Sequence, residues 1–366
     1  MLDGPLDCSY FRILVKINAG HLEKEGPMPL VIDADGHVEE TLPELVEAIP
    51  SAMRDNAIQF VAEAGGFVTY RIEGRLWRSK YPFPGGLQNH VSAGGERREG
   101  GRDPKVRLQV LNDEGIDAAV LYPSVGLMFG LLEHPDIAAA LCGAYNDWLA
   151  RYCATDPKRL IGVALLPQQD PRLAAAELER AVTTHGFVGG VMRPNRIGGR
   201  TADHPDFDVL WAKAQQLDVP VSLHEAYLSG MDTIGLDRMS SYAGCHIVSH
   251  VFEQMAAMVN VTLAGIFQRF PGLRVGFLEA GCGWAPTWVD RMVPIINRKS
   301  SSAIRKRWRH SWSAALPTTT MRPKKKDRPN AKLREKDLTL IVANGWPRRQ
   351  RNALVMRRRA ARGSCA

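Results

Sequence analysis

The chain has 366 residues, 45% hydrophobic and 23% charged, values that exclude a long disordered or fibrous polypeptide and fit one large domain or two small ones. Its net charge of +8 is unevenly spread: residues 298–366 carry 21 Lys and Arg against 3 Asp and Glu, while residues 1–297 carry 26 against 36. The body is therefore acidic, and the tail alone makes the chain basic, so the overall charge does not by itself argue for a nucleic-acid-binding protein.

Residues 1–27 show no periodicity and lack the basic, apolar and small-residue regions of a signal peptide. A globular part is expected from Met28. Its first strand, Val31-Ile32-Asp33-Ala34-Asp35-Gly36-His37, is apolar at its start and ends in metal-binding side chains. Residues two apart on a strand share a face, so Asp35 and His37 point the same way. Residues 41–60 read as helical and 80–104, rich in Gly, Pro and Arg, as a long loop. An alternation then sets in: helix 105–114, strand Ala118 to Pro123, helix 134–154, strand Leu160 to Pro167, helix 171–185 stopping at Gly186, strand Gly189 to Pro194 and helix Phe207 to Leu217. The next strand, Val219 to Glu225, carries a second metal-binding side chain, His224. A helix near 250–269, a strand from Leu273 to Gly281 and a short helix at 285–293 come next.

Short apolar strands alternating with helices imply parallel βαβ units whose strands are buried on both faces. No GxGxxG follows the first strand, which argues against a doubly wound dinucleotide fold. Asp35, His37, Arg193, His224 and Glu279 instead stand at the carboxyl ends of strands, where barrel enzymes place their chemistry. The expected fold is an α/β barrel of the (β/α)8 type. A carboxylate and two imidazoles suit a catalytic divalent metal, zinc first and manganese as the alternative. Each piece also has an ordinary explanation: an Asp-Gly-His turn, a core histidine at 224, and an Arg193 that ties strand to helix by a salt bridge. Tyr122 and Trp284 suit an aromatic pocket or plain packing. The six cysteines are scattered with no CxxC pair, which fits a reducing cytoplasm, and no apolar run reaches membrane-spanning length.

Asp33 to Glu39, Leu160 to Pro171 with the alanine-rich helix and Gly186 to Val191 after it, and Ile266 to Gly283 resemble, in the same order, the amidohydrolase-related family that includes aminocarboxymuconate-semialdehyde decarboxylase. The resemblance covers roughly residues 28–295. It implies a metal-dependent (β/α)8 barrel acting on a small carboxylated, aromatic or unsaturated substrate, by decarboxylation or, in a second reading, by hydrolysis of an amide, lactone or C–C bond. It implies Asp35, His37 and His224 as metal ligands, with Asp35 standing where the family often has His or Glu. Glu279 stands where the family often has a histidine. Glu279 and His250 are the candidate proton carriers, and Arg193 the candidate partner of a substrate carboxylate.

The family's eighth-strand aspartate phrase has no match after residue 295. Three segments are therefore expected: an N-terminal extension over 1–27, the barrel domain over 28–297, and a basic tail over 298–366 that is disordered or out of frame, with at most one strand near 338–343. This opens a third reading, of another class: a non-catalytic product with an incomplete barrel. The expected partner is a small-molecule substrate rather than a membrane or nucleic acid, and the sequence leaves a homodimer open.

Overall fold

The computed structural model describes residues 31–65, 67–81, 96–226, 231–299 and 341–343. The extension over 1–27 lies outside them, as does most of 298–366. Strand β1 (Ile32–His37) leads into helix α1 (Leu42–Ala48) and the single turn α2 (Ser51–Arg54). The helix expected over 41–60 is cut here by Pro50. Proline disfavours helical geometry in the residue before it, and Ile49 is extended at φ −88° and ψ 162°. After α2 the chain forms an antiparallel meander, β2 (Ile58–Ala64), β3 (Phe67–Ile72) and β4 (Arg75–Arg78). Its β3–β4 turn places Glu73 and Gly74 at φ 49° and 78°, the successive positive values that a tight hairpin turn requires.

Helices α3 (Glu96–Arg102) and α4 (Pro104–Asp113) precede β5 (Ala118–Tyr122). Helix α3 lies within the stretch expected as loop. Then come α5 (Pro135–Cys153), β6 (Leu160–Gly162), β7 (Ala164–Leu165), α6 (Pro171–His185), β8 (Gly190–Met192), α7 (Asp208–Gln216) and β9 (Val221–Leu223). The last described elements are α8 (Tyr242–Leu263), α9 (Ile266–Arg269), β10 (Val275–Leu278), α10 (Trp284–Lys299) and β11 (Ile341–Ala343). Helix α6 illustrates the local logic. The Asp170 side chain caps it by accepting from the Arg172 amide, Pro171 occupies its first turn, and Gly186 ends it at φ 71°. Ala174, Ala175, Leu178 and Ala181 give it one buried face.

The strands outside the meander are parallel and form two sheets, ordered β1-β5-β6 and β7-β8-β9-β10-β11. Val163 alone separates β6 from β7, so the chain changes sheets there. Asn146 on α5 fastens the change, donating to the Leu165 carbonyl at 3.1 Å and accepting from its amide at 2.9 Å. Among the described residues no pairing joins β11 to β1. Strands β5 to β10 are buried throughout, as parallel strands covered on both faces should be. The parallel run places the carboxyl ends of β1, β9 and β10 on one edge.

Close approach of β8 and β9 depends on Gly189. A Cβ there would sit 2.8 Å from the Pro220 carbonyl oxygen, a backbone atom that cannot step aside as a side chain can. Gly189→Ala is therefore expected to destabilise the fold by about 1–3 kcal/mol, the usual range for overpacking. Urea unfolding checks this, and an unchanged midpoint would contradict the tight β8–β9 contact.

Candidate metal centre

Strand β1 delivers Asp35 and His37 to this edge. Its pairing with β5 slips between Asp33 and Gly36, where β1 has one more residue than its partner. Such a bulge re-aims side chains, and the Asp33 carboxylate supports it by accepting from the Asp35 amide at 3.2 Å. His224 is the first residue after β9. His37 Nε2 lies 3.0 Å from His224 Nε2, His224 Nε2 lies 3.4 Å from Asp35 Oδ1, and His37 Nε2 lies 4.0 Å from the same oxygen. The point equidistant from these three atoms is about 2 Å from each, the bond length of a divalent cation to imidazole or carboxylate.

The hydrogen-bonding pattern fits a cation at that point. His37 Nδ1 faces the Pro123 carbonyl at 2.8 Å, and His224 Nδ1 faces the Glu225 carbonyl at 2.7 Å. A carbonyl can only accept, so both Nδ1 atoms carry the ring proton and both Nε2 atoms present lone pairs. Those lone pairs are aimed at each other, and Asp35 Oδ1 beside them is buried with no hydrogen-bond partner. Three acceptors converging on one point need a shared positive charge. Without a metal, a proton must serve. Burial and the neighbouring His224 lower the His37 pKa. Burial also opposes charge on His224, but the Asp35 and Glu279 carboxylates raise its pKa.

Glu279, the residue after β10, lies beside this cluster. Its Oε2 is 3.5 Å from His224 Nε2 and 3.4 Å from His250 Nε2. It holds a φ of 52°, an uncommon backbone state for a residue with a side chain, of the kind often found at functional sites. Burial alone would raise its pKa, but His250 and then His224 and His37 overcome this and hold it at about 2. A folded pKa of about 2, below the unfolded value of 4.5, gives a stabilisation present above pH 4.5 and lost as pH falls through 2. For metal-free protein, Glu279→Gln should remove on the order of 2 kcal/mol of this pH-dependent stability. Unfolding midpoints measured from pH 6 down to about pH 2 test it. Parallel curves for the two proteins would show that Glu279 is not held by its imidazoles.

His250 comes from α8, which begins at Tyr242 rather than near 250 as expected. The Ser241 side chain caps it, accepting from the Gly244 amide. The longer helix adds His246, four residues before His250 on the same face and stacked on it at 4.2 Å. His246 is not among the residues that the sequence pattern singles out. Gln254, one turn further on, donates to the carbonyls of Leu223 and Leu278 at 2.7 and 3.1 Å, and so ties this helix face to the ends of β9 and β10.

Arg193, after β8, is committed to protein groups. Its guanidinium donates to Glu225 at 2.6 Å, to the Ala226 carbonyl at 2.6 Å and to Asn195 at 2.9 Å. Both members of the Arg193–Glu225 pair are buried. Of the two readings the sequence leaves open, the geometry matches the structural ion pair, though it ties β8 to the residue after His224 rather than to a helix. Glu225, next to His224, is a second buried charged side chain of this cluster that the sequence pattern does not single out. Tyr122 is buried with its ring 6.1 Å from that of His224, and its hydroxyl is 3.3 Å from Ser222 Oγ. Trp284 donates to the Ala280 carbonyl at 2.8 Å. No helix among the described residues is long and apolar enough to cross a membrane.

Comparison with known proteins identifies the family. The chain is 31% identical over 190 residues to 2-amino-3-carboxymuconate-6-semialdehyde decarboxylase of Dictyostelium discoideum, covering 52% of this chain and 51% of that one. It is 38% identical over 154 residues to the decarboxylase orsB of Emericella nidulans, covering 38% and 44%. The chain thus spans about half the length of these relatives. A crystal structure of 5-carboxyvanillate decarboxylase from Novosphingobium aromaticivorans, with bound manganese, shares the fold at a TM-score of 0.53, 21% identity, and 74% and 73% coverage. The amidohydrolase family model matches residues 32–317, more than half of the chain, and the protein belongs to the amidohydrolase family.

Proposed function

We propose that this chain is a metal-dependent decarboxylase of a small aromatic or unsaturated carboxylic acid. The observation that carries the reading is the convergence of Asp35 Oδ1, His37 Nε2 and His224 Nε2 on one point, with the Glu279–His250 pair alongside. The names of the relatives support the reaction class. These three side chains hold the cation, with zinc the first choice and manganese the alternative; manganese is what the 5-carboxyvanillate decarboxylase structure contains. Bound there, the cation supplies a Lewis-acid anchor for substrate oxygens.

The protein's own groups do the rest. His37, the one partly exposed ring of this cluster, is the surface a substrate ring would pack on. In decarboxylation the C–COO⁻ bond breaks, its electron pair stays on carbon, and a proton must reach that carbon as CO2 leaves. The Glu279–His250 pair is the carrier of this proton. Glu279, a carboxylate at neutral pH, orients His250 and passes the proton toward the reacting carbon. Arg193, bound to Glu225, positions the loop after β9 that carries His224.

In this reading the parallel strands are the arc of a (β/α)8 barrel spanning residues 28–297. Residues 298–366 are a segment that does not complete that barrel in the family's usual way. The strand Ile341–Ala343 beside β10 is its described contribution. A reducing, cytoplasmic location is part of the same reading, supported by the free cysteines Cys142, Cys153 and Cys245.

The test is to incubate Zn²⁺- or Mn²⁺-loaded protein with hydroxylated benzoic acids and unsaturated dicarboxylic acids, recording CO2 and product. Release of one CO2 per product molecule lacking the carboxyl group is expected. Turnover of amides or lactones without CO2 would replace the proposal with the hydrolase reading. Failure to bind metal or turn over any substrate would favour the non-catalytic reading.

A further inference from the structure

A second group of ligand-type side chains lies directly against the first. One ring nitrogen of His246, one of His250 and a Glu279 carboxylate oxygen fall within 4.8 Å of one another, just as the ligand atoms of Asp35, His37 and His224 do. Two histidines four apart on one helix face, joined by a carboxylate from another element, are a donor set that suits zinc and similar cations. The geometry points to a second divalent cation site formed by His246, His250 and Glu279, with Glu279 bridging it to the Asp35–His37–His224 site.

Three observations support this. First, His250 Nδ1 lies 3.0 Å from the His246 carbonyl, so it carries the ring proton and Nε2 presents a lone pair to Glu279. Two acceptors face each other, as in the first site. Their separation of 3.4 Å is longer than a charge-assisted N–H···O⁻ bond, typically about 2.7–2.9 Å, and suits two ligands on one ion. Second, the two carboxylate oxygens of Glu279 divide between partners. Oε2 faces both His224 and His250, and Oε1 faces His246 at 3.9 Å. One carboxylate thus touches both ligand groups, the role of a bridging ligand in two-metal centres. Third, the second position is open to solvent: the His246 and Glu279 side chains are 41% and 30% exposed, so a cation can reach it directly. The site adjoins the metal centre proposed above, but it does not depend on which reaction the chain performs.

The experiment titrates metal-free full-length protein with Mn²⁺, reading stoichiometry by equilibrium dialysis and the state of the ions by electron paramagnetic resonance. The wild type should bind two Mn²⁺ per chain, the second bringing a spin-coupled spectrum in place of an isolated-ion signal. His246→Asn, a change at a partly exposed position, should bind one Mn²⁺ with an uncoupled spectrum, and His250→Gln, read in the same way, gives a second and independent variant. Fewer than two Mn²⁺ per wild-type chain, or a second ion retained with its coupling in His246→Asn, overturns the proposal. Because neither readout uses turnover, a failure of the decarboxylase reading is seen separately.

Discussion

His224→Ala is expected to lower the affinity for Mn²⁺ or Zn²⁺ by well over 100-fold and to abolish CO2 release. Loss of an outer partner of a metal ligand already costs about 10–100-fold, and His224 is proposed as a ligand itself. Its position makes it the hardest of the three to replace. It is buried, its Nδ1 is fixed on the Glu225 carbonyl, and its Nε2 faces His37, Asp35 and Glu279 at 3.0, 3.4 and 3.5 Å. Alanine removes the one ring that meets all three groups and leaves the Asp35 and Glu279 carboxylates without it. Isothermal titration with Mn²⁺ measures the affinity, and CO2 release the activity. Unchanged metal affinity in His224→Ala would show that the ion sits elsewhere.

The Arg193–Glu225 pair should yield the largest stability effect. The side chains are 3% and 0% exposed, so neither charge is compensated by water if the other is removed. Burial disfavours the Arg193 charge, and Glu225 is the main group opposing that penalty. Breaking a buried pair from one side costs about 3–5 kcal/mol, because the surviving charge is left alone in a poorly polarisable setting. Glu225→Gln should therefore lose about that much stability in urea unfolding. It should also weaken metal binding, since Glu225 is the residue directly after His224 and its carbonyl orients the ring. A loss below about 1 kcal/mol would mean that Asn195 and the Leu127 and Ala226 carbonyls hold Arg193 without its carboxylate.

The proposed metal-site triad is legible in the sequence because its residues stand at or near the ends of parallel strands. A buried apolar run that stops at a polar residue names the side chain presented at the sheet edge, and His224 and Glu279 stand out in that way; Asp35 and His37 stand out by their two-residue spacing at the end of β1. The β2–β4 meander escapes such a reading because its alternation, as in Phe-Val-Thr-Tyr-Arg-Ile, sits between a segment with helical pattern and a glycine-rich one. Pro50 is the local signal that the helix ends. His246 escapes for a related reason. If α8 starts near 250, the spacing His246-Ile-Val-Ser-His250 has no helix to sit on. With the cap at Ser241, the same five residues put two imidazoles on one face. Arg193 shows a different limit. A strand-end arginine can face a ligand or a carboxylate of its own chain, and the contact that decides, Glu225 from 32 residues on, depends on how β8 and β9 lie side by side.

Everything proposed for the metal centre depends on one shared point between Asp35, His37 and His224. Crystals of the full-length protein grown with Mn²⁺, with data collected on both sides of the manganese absorption edge, locate that ion directly. The expected result is an anomalous peak within about 2 Å of Asp35 Oδ1, His37 Nε2 and His224 Nε2. Anomalous density absent from that point in a crystal that holds Mn²⁺ elsewhere would contradict it.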